Sequence, residues 1–254
     1  MTPVSKCVGV ALLLAAAAVT SQAFATRTTL DGVYSQEQAT RGEDAYNRNC
    51  ARCHQADLNG TGGAPPLRTS TFTENWREGY LGNLFHHIQA WMPPQNLKGT
   101  LPEQRYLDIL TYVLAANDFP AGPKDLTKAD LDTILFVEAG GARELPPSST
   151  IRAVGCLARS GSDWSLTRVG ETPRVHDGSE SYESELAWSR QLALGAATYR
   201  LPNADEDRKE SDLVALIGRK VQVKGTLGGQ AASQRINVFS LETLPADIGP
   251  QCQP

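Results

Sequence analysis

Residues 50–54 read Cys50-Ala51-Arg52-Cys53-His54. Two thiols at this spacing can each add across a vinyl group of haem, and the histidine that follows is then held as an axial ligand to the iron. C-x-x-C-H is the attachment pattern of a covalent c-type haem. A structural zinc site would want a second ligand pair at similar spacing, and a thioredoxin-like redox pair would want a βαβ setting. Neither accompanies the motif. The expected cofactor is one covalent haem c, bound through Cys50 and Cys53 with His54 on the iron.

The opposite face of such an iron takes His or Met, and Met raises the reduction potential. The chain has two methionines. Met1 would leave with an export segment, so Met92 is the one that stays. A single methionine is by default core filling, but this one sits in Trp91-Met92-Pro93-Pro94, a proline-fixed loop able to present its sulfur. Met92 is therefore the expected sixth ligand. The rivals are His86 and His87 in Leu84-Phe85-His86-His87-Ile88. Successive helical residues point about 100° apart, so the two imidazoles cannot both face one iron. His176, in a polar stretch, reads as exposed. Four histidines and no Asp/Glu/His cluster at ligand spacing give a second metal site no support.

The first 25 residues set the compartment. Lys6 supplies a positive start, Val8 to Val19 is apolar, and Ala23-Phe24-Ala25 is an A-x-A cleavage site. The apolar run is well short of the roughly 20 residues that span a bilayer. Cys7 precedes the apolar run, whereas a lipidated cysteine follows it. The reading is a signal peptide over 1–25, a mature periplasmic chain from near Thr26, and no membrane span after cleavage. The net charge of −4 is nearly balanced along the chain, which speaks against nucleic acid as a partner.

Five cysteines less Cys7, Cys50 and Cys53 leave Cys156 and Cys252. In an oxidising compartment such a pair usually bridges. Two unpaired thiols, one buried and one in the tail, are the alternative.

Helices must position these groups. Gln36 to Tyr46 reads as a helix running into the haem motif, with Ser35 as its N-cap. A loop from Asp57 to Pro66 carries Gly60, Gly62 and Gly63 and ends in Pro65-Pro66. Leu81 to Ala90 suggests a short helix. Between Glu103 and Asn117, Tyr106, Leu107, Ile109, Leu110, Val113 and Leu114 recur at helical spacing behind Leu101-Pro102.

With these residues on the page, the chain resembles class I cytochromes c over roughly residues 36–118. The resemblance rests on Gly42 and Tyr46 ahead of Cys50-x-x-Cys53-His54, then Pro65-Pro66, Met92-Pro93-Pro94, and the helix bearing Tyr112. It implies that the first and last helices cross closely, with Gly42 allowing the approach and Tyr46 and Tyr112 packing there. It also implies that a backbone carbonyl beside a proline orients the haem histidine, and Pro65 is the best match. Met92-Pro93-Pro94 and Tyr106-x-x-Ile109-Leu110-x-Tyr112 look like the cytochrome modules that accompany periplasmic quinoprotein dehydrogenases.

Ala121-Gly122-Pro123 ends the cytochrome at residue 120. A short helix from Lys128 to Phe136, then Gly140-Gly141 and Pro146-Pro147, make 121–149 a linker. Strand-like runs follow at 151–157, 164–167, 220–225 and 235–239, with short helices at 183–191 and 212–217. The expected fold class is an all-α cytochrome c domain over 26–120 followed by a small mainly-β domain, an OB-like barrel, over 150–254. No catalytic constellation appears in the second domain. Two functions remain open. One is an electron carrier exchanging electrons with a redox partner, a periplasmic quinoprotein-type dehydrogenase or an oxidase. The other is a haem enzyme or gas sensor with an open or labile sixth site.

Overall fold

The computed structural model describes residues 27–176, 178, 181–206, 208–229, 234–244 and 252. The export segment expected over 1–25 lies outside the described residues.

Helix α1 spans Gln36–Asn49 and starts where Ser35 accepts from the Gln38 amide at 3.0 Å. That bond satisfies one of the amides a helix start leaves free. A one-turn helix, α2, follows at Ala51–His54 and carries the haem motif. Helices α3 (Ser70–Trp76), α4 (Leu81–Trp91) and α5 (Glu103–Ala116) complete the helical region. On α5 the periodic set Tyr106, Leu107, Ile109, Leu110, Val113 and Leu114 is buried as its spacing requires.

Helices α1 and α5 cross with almost nothing between them. A Cβ at Gly42 would overlap the Asp108 carbonyl oxygen and stand 2.9 Å from Tyr112 Cβ. Beside this crossing the Tyr46 and Tyr112 rings pack with centroids 5.1 Å apart. The approach leaves no room for a side chain at position 42.

The stretch after residue 120 contributes to the same core. Leu126, Leu131, Ile134 and Phe136 are buried in one cluster with Val33, Tyr34, Leu81 and Leu110. The buried Gln38 side chain clasps the Leu126 backbone, donating to its carbonyl at 3.0 Å and accepting from its amide at 2.7 Å. Where the sequence suggests a helix between Lys128 and Phe136, there is a 3₁₀ turn over Lys128–Thr133. It runs into strand β2 (Ile134–Leu135), which pairs in parallel with β1 (Arg27–Thr28). Two backbone partners from the start of the described chain outweigh the local helical pattern.

The remainder is a mixed five-stranded sheet of β3 (Thr150–Ser160), β4 (Asp163–Val169), β5 (Ala197–Arg200), β6 (Lys220–Gly228) and β7 (Arg235–Thr243). Pairing runs β3-β4-β5-β7-β6, and β6 returns to β3; β5 and β7 are parallel and the other pairs antiparallel. Ile151, Ala153 and Leu157 of β3 and Val221 and Val223 of β6 face the inner core with Trp164, Leu166, Ile236 and Leu241. The alternate residues Arg152 and Lys224 point to the other face, as the two-residue period of a strand demands. They are nevertheless buried, because helix α6 (Glu183–Gln191) covers them. Glu185 of α6 accepts from Arg152 Nη1 and Lys224 Nζ, both at 3.0 Å. A last short helix, α7 (Glu210–Val214), precedes β6. Cys156 and Cys252 form a disulfide.

Gly42→Ala forces backbone apart at the crossing, and overpacking of this kind costs about 1–3 kcal/mol or more. Thermal unfolding followed by circular dichroism should give a clearly lower Tm for this variant. The disulfide joins residues 96 apart, a loop length for which cross-linking adds about 4.7 kcal/mol by chain entropy. Non-reducing peptide mapping should recover the Cys156 and Cys252 peptides linked, and denaturant unfolding should show a large stability loss on replacing both cysteines by alanine.

Candidate functional site

The site is assembled from the junction of α1 and α2 and the loop beyond it. Cys50 closes α1, its amide donating to the Tyr46 carbonyl at 2.8 Å. The amides of Cys53 and His54 donate back to the Cys50 carbonyl at 3.1 and 3.0 Å. This single turn holds the two thiols and the imidazole together. Neither thiol is disulfide-bonded; Cys50 packs against the helical core while Cys53 is exposed. Burial, with a smaller contribution from Cys53, pushes the Cys50 thiol up to about 11. A redox-active C-x-x-C pair needs the opposite shift, toward a stable thiolate.

His54 is buried, and its Nδ1 lies 2.8 Å from the Pro65 carbonyl oxygen. A carbonyl can only accept, so Nδ1 carries the hydrogen and the lone pair sits on Nε2. That is the arrangement in which a metal-bound histidine is oriented by an outer partner.

The loop that delivers the Pro65 carbonyl is folded back on itself. Gly60 donates to the His54 carbonyl at 2.9 Å, Thr61 and Ala64 exchange backbone bonds, and Leu67 donates to the Leu58 carbonyl at 2.8 Å. Gly60 has φ +71°, and a Cβ there would overlap the Ala64 carbonyl and stand 2.8 Å from the Pro65 oxygen. Glycine is needed twice over, for its conformation and for the close approach. Gln55, directly after His54, also has positive φ, at 63°. Its carbonyl accepts from the Tyr46 hydroxyl at 2.7 Å, which anchors this costly conformation to α1. The tyrosine beside the helix crossing thus also fixes the residue next to the imidazole.

Met92 caps α4, its amide donating to the Ile88 carbonyl at 2.8 Å. Its own carbonyl accepts from the Tyr106 hydroxyl at 2.8 Å, tying the segment to α5. Its side chain is partly exposed, between exposed Trp91 and the Pro93-Pro94 pair. The rival histidines are engaged elsewhere. His86 stacks on Tyr182 with centroids 4.8 Å apart, and His87 meets the edge of Trp76 at 5.3 Å. His176 is exposed, as its sequence context suggests, with its ring 4.0 Å from that of Trp76. Among the described residues no group of three or more His, Cys, Asp and Glu is arranged to hold a metal ion.

Residues 37–113 match the family model described as Cytochrome C oxidase, cbb3-type, subunit III. That stretch is a cytochrome c domain. Neither the curated proteins nor the solved structures include a match to the chain, and residues beyond the domain are unassigned. A cytochrome c domain implies covalent haem c, haem-based electron transfer and a redox partner. The donor set fits such a group: two unbridged thiols on one turn, an imidazole with its Nε2 lone pair available, and an apolar core against which Cys50 packs. Sequence reasoning missed Tyr106 and Gln55 as parts of this arrangement. The tyrosine was read as a core position of α5 and as part of the module likeness, not as a partner of Met92, and nothing in the sequence marks Gln55.

Tyr106→Phe removes one hydrogen bond to the Met92 carbonyl and should cost about 1 kcal/mol. Urea unfolding should show a lower midpoint, by that loss divided by the slope, with the slope itself unchanged.

Proposed function

We propose that the protein is an exported electron carrier. Residues 26–120 would carry one haem c held covalently by Cys50 and Cys53, with His54 and Met92 as the residues that would bind its iron. Residues 121–149 connect this to an OB-like barrel over 150–254. The observation that carries the reading is the bond from His54 Nδ1 to the Pro65 carbonyl, one turn of chain from two unbridged thiols.

Haem iron supplies one-electron exchange between ferrous and ferric states. The chain's own residues prepare that exchange. Cys50 and Cys53 anchor the group, so the protein cannot lose it on changing oxidation state. The Pro65 carbonyl orients His54 and raises its basicity. Met92 is held from the backbone side by Tyr106, and its soft thioether favours the ferrous form and so a higher potential. The stacking of His86 on Tyr182 and of His87 on Trp76 supports Met92 over either histidine.

A periplasmic location is supported by the Cys156–Cys252 disulfide, which suits an oxidising compartment. Among the described residues no helix is long and apolar enough to cross a membrane. The signal segment read over 1–25 supplies export. The partner is an oxidase or a quinoprotein-type dehydrogenase; the matched family's description names an oxidase subunit. The closed strand order, with α7 entering before the penultimate strand, supports the OB-like reading. The near-balanced charge gives no support to nucleic acid as a partner.

In the haem-loaded protein, Met92→Ala should abolish the weak far-red band of sulfur bound to ferric haem. It should also lower the midpoint potential and open the iron to carbon monoxide. Fast stoichiometric carbon monoxide binding by the unaltered protein would instead establish the haem enzyme or gas sensor reading.

A further inference from the structure

Helix α4 ends at Met92 with no joint between them, because the Met92 amide makes the last bond of the helix, to Ile88. Wherever α4 sits, the Met92 backbone follows. One side of α4 is fixed by the cytochrome core, through Leu81, Leu84 and Phe85. The other side is held by the second domain.

That hold begins just before the helix. Residues 173–175 lie between the start of β3 and the α3–α4 connection. On one side Arg152 donates to the Pro173 carbonyl at 2.9 Å and Val175 to the Thr150 carbonyl at 2.9 Å. On the other, the Arg174 amide donates to the Glu78 carbonyl at 2.7 Å, and Gly79 and Arg174 form a parallel bridge. Asn83 Nδ2, from the first turn of α4, donates to the Arg174 carbonyl at 2.9 Å. The sheet is thus continued by backbone bonds up to the helix.

Aromatic contacts extend the hold along α4. The Tyr80 ring meets Trp188 of α6 at 4.5 Å, and its hydroxyl donates to Glu171 at 3.0 Å. The Arg152 guanidinium, 1% exposed, lies over Trp188 at 4.7 Å and Tyr80 at 5.2 Å while Glu185 neutralises it. One turn and a half further on, His86 stacks on Tyr182. A cleft of about 80 Å³ between the two parts reaches the end of the helix at Ala90 and Trp91.

We infer that Trp188 and Tyr182 of the second domain are positioning residues for the iron's sixth ligand. They set the pose of α4 against the cytochrome core and through it the placement of Met92. This gives the second domain a task in electron transfer that requires no chemistry of its own. It rests on the Met92 ligation proposed above. A helix of 11 residues moves as a rod, so loss of the brace near its start and middle is felt at its end. Tyr106 holds the helix from the α5 side, through its hydroxyl on the Met92 carbonyl and its ring against Phe85 at 6.4 Å, so the brace and Tyr106 together fix the pose.

The test uses the full-length haem-loaded protein carrying Trp188→Ala, Tyr182→Ala, Trp188→Phe, Leu213→Ala or Met92→Ala. Leu213→Ala opens a cavity in the sheet core and serves as the control for plain destabilisation. Each variant is followed by the far-red sulfur–iron band, the midpoint potential and the carbon monoxide binding rate, with haem attachment checked by mass. Trp188→Ala and Tyr182→Ala should weaken the band, lower the potential and speed carbon monoxide binding by about fivefold or more, the usual lower range for coupled sites. Trp188→Phe should restore most of the loss, and Leu213→Ala should melt earlier while keeping all three readouts.

The inference is overturned if Trp188→Ala and Tyr182→Ala keep the parent readouts, or if Leu213→Ala shifts them equally. A Met92→Ala spectrum identical to the parent would instead remove the ligation reading on which the inference stands.

Discussion

The close crossing of α1 and α5 at Gly42 is the constraint from which the arrangement of the site follows. Helix α1 ends in Cys50 and so presents the thiols and His54; helix α5 carries Tyr106, which holds the Met92 backbone. The segments bearing the two candidate ligands, far apart along the chain, therefore share one point of reference. With any side chain at position 42 the two helices could not approach this closely, since a Cβ there would overlap the Asp108 carbonyl oxygen. A haem site tolerates little of this, because ligand geometry sets affinity and potential.

From that crossing the local geometry runs outward through backbone carbonyls more than through side-chain pairs. Gln55 accepts from Tyr46, Pro65 accepts at His54, and Met92 accepts from Tyr106. Carbonyls have no ionisable state to shift with pH, and they are fixed by the chain on both sides. A site built on them keeps its hydrogen-bond pattern over conditions in which carboxylate partners would change charge.

Much of this was legible in the sequence wherever a local pattern and the tertiary requirement coincide. The haem motif needs one turn of chain, Ser35 caps the helix that it begins, and the α5 periodicity faces the core it implies. The Asp57–Pro66 loop announced itself by its glycines and prolines. Legibility failed where partners come from far away. β5 is four residues long, with only Ala197 and Tyr199 turned to the core, too short for alternation to register. The stretch after residue 120 looked like a connector, because what it buries, Leu126 and Ile134, is paid for by contacts with Gln38 and Arg27–Thr28 nearly a hundred residues earlier. The paired use of α4 by both parts of the molecule was invisible, since Tyr80, Asn83 and His86 carry no signal of what they will meet.

The ion cluster beneath α6 has an asymmetry with consequences for how this sequence can drift. Glu185 is shared by Arg152 and Lys224, two cations on neighbouring strands that are both almost wholly out of water. Replacing either cation by an apolar residue leaves one carboxylate matched with one positive charge. Replacing Glu185 strands two positive charges side by side in a medium that solvates neither, and a buried charge without its partner is strongly destabilising. Substitution is thus tolerated best at one strand position at a time, and worst at position 185 while both cations remain. Electrostatics favours a strand position for the first change, after which the remaining cation and Glu185 form a matched pair whose two members can be lost only together.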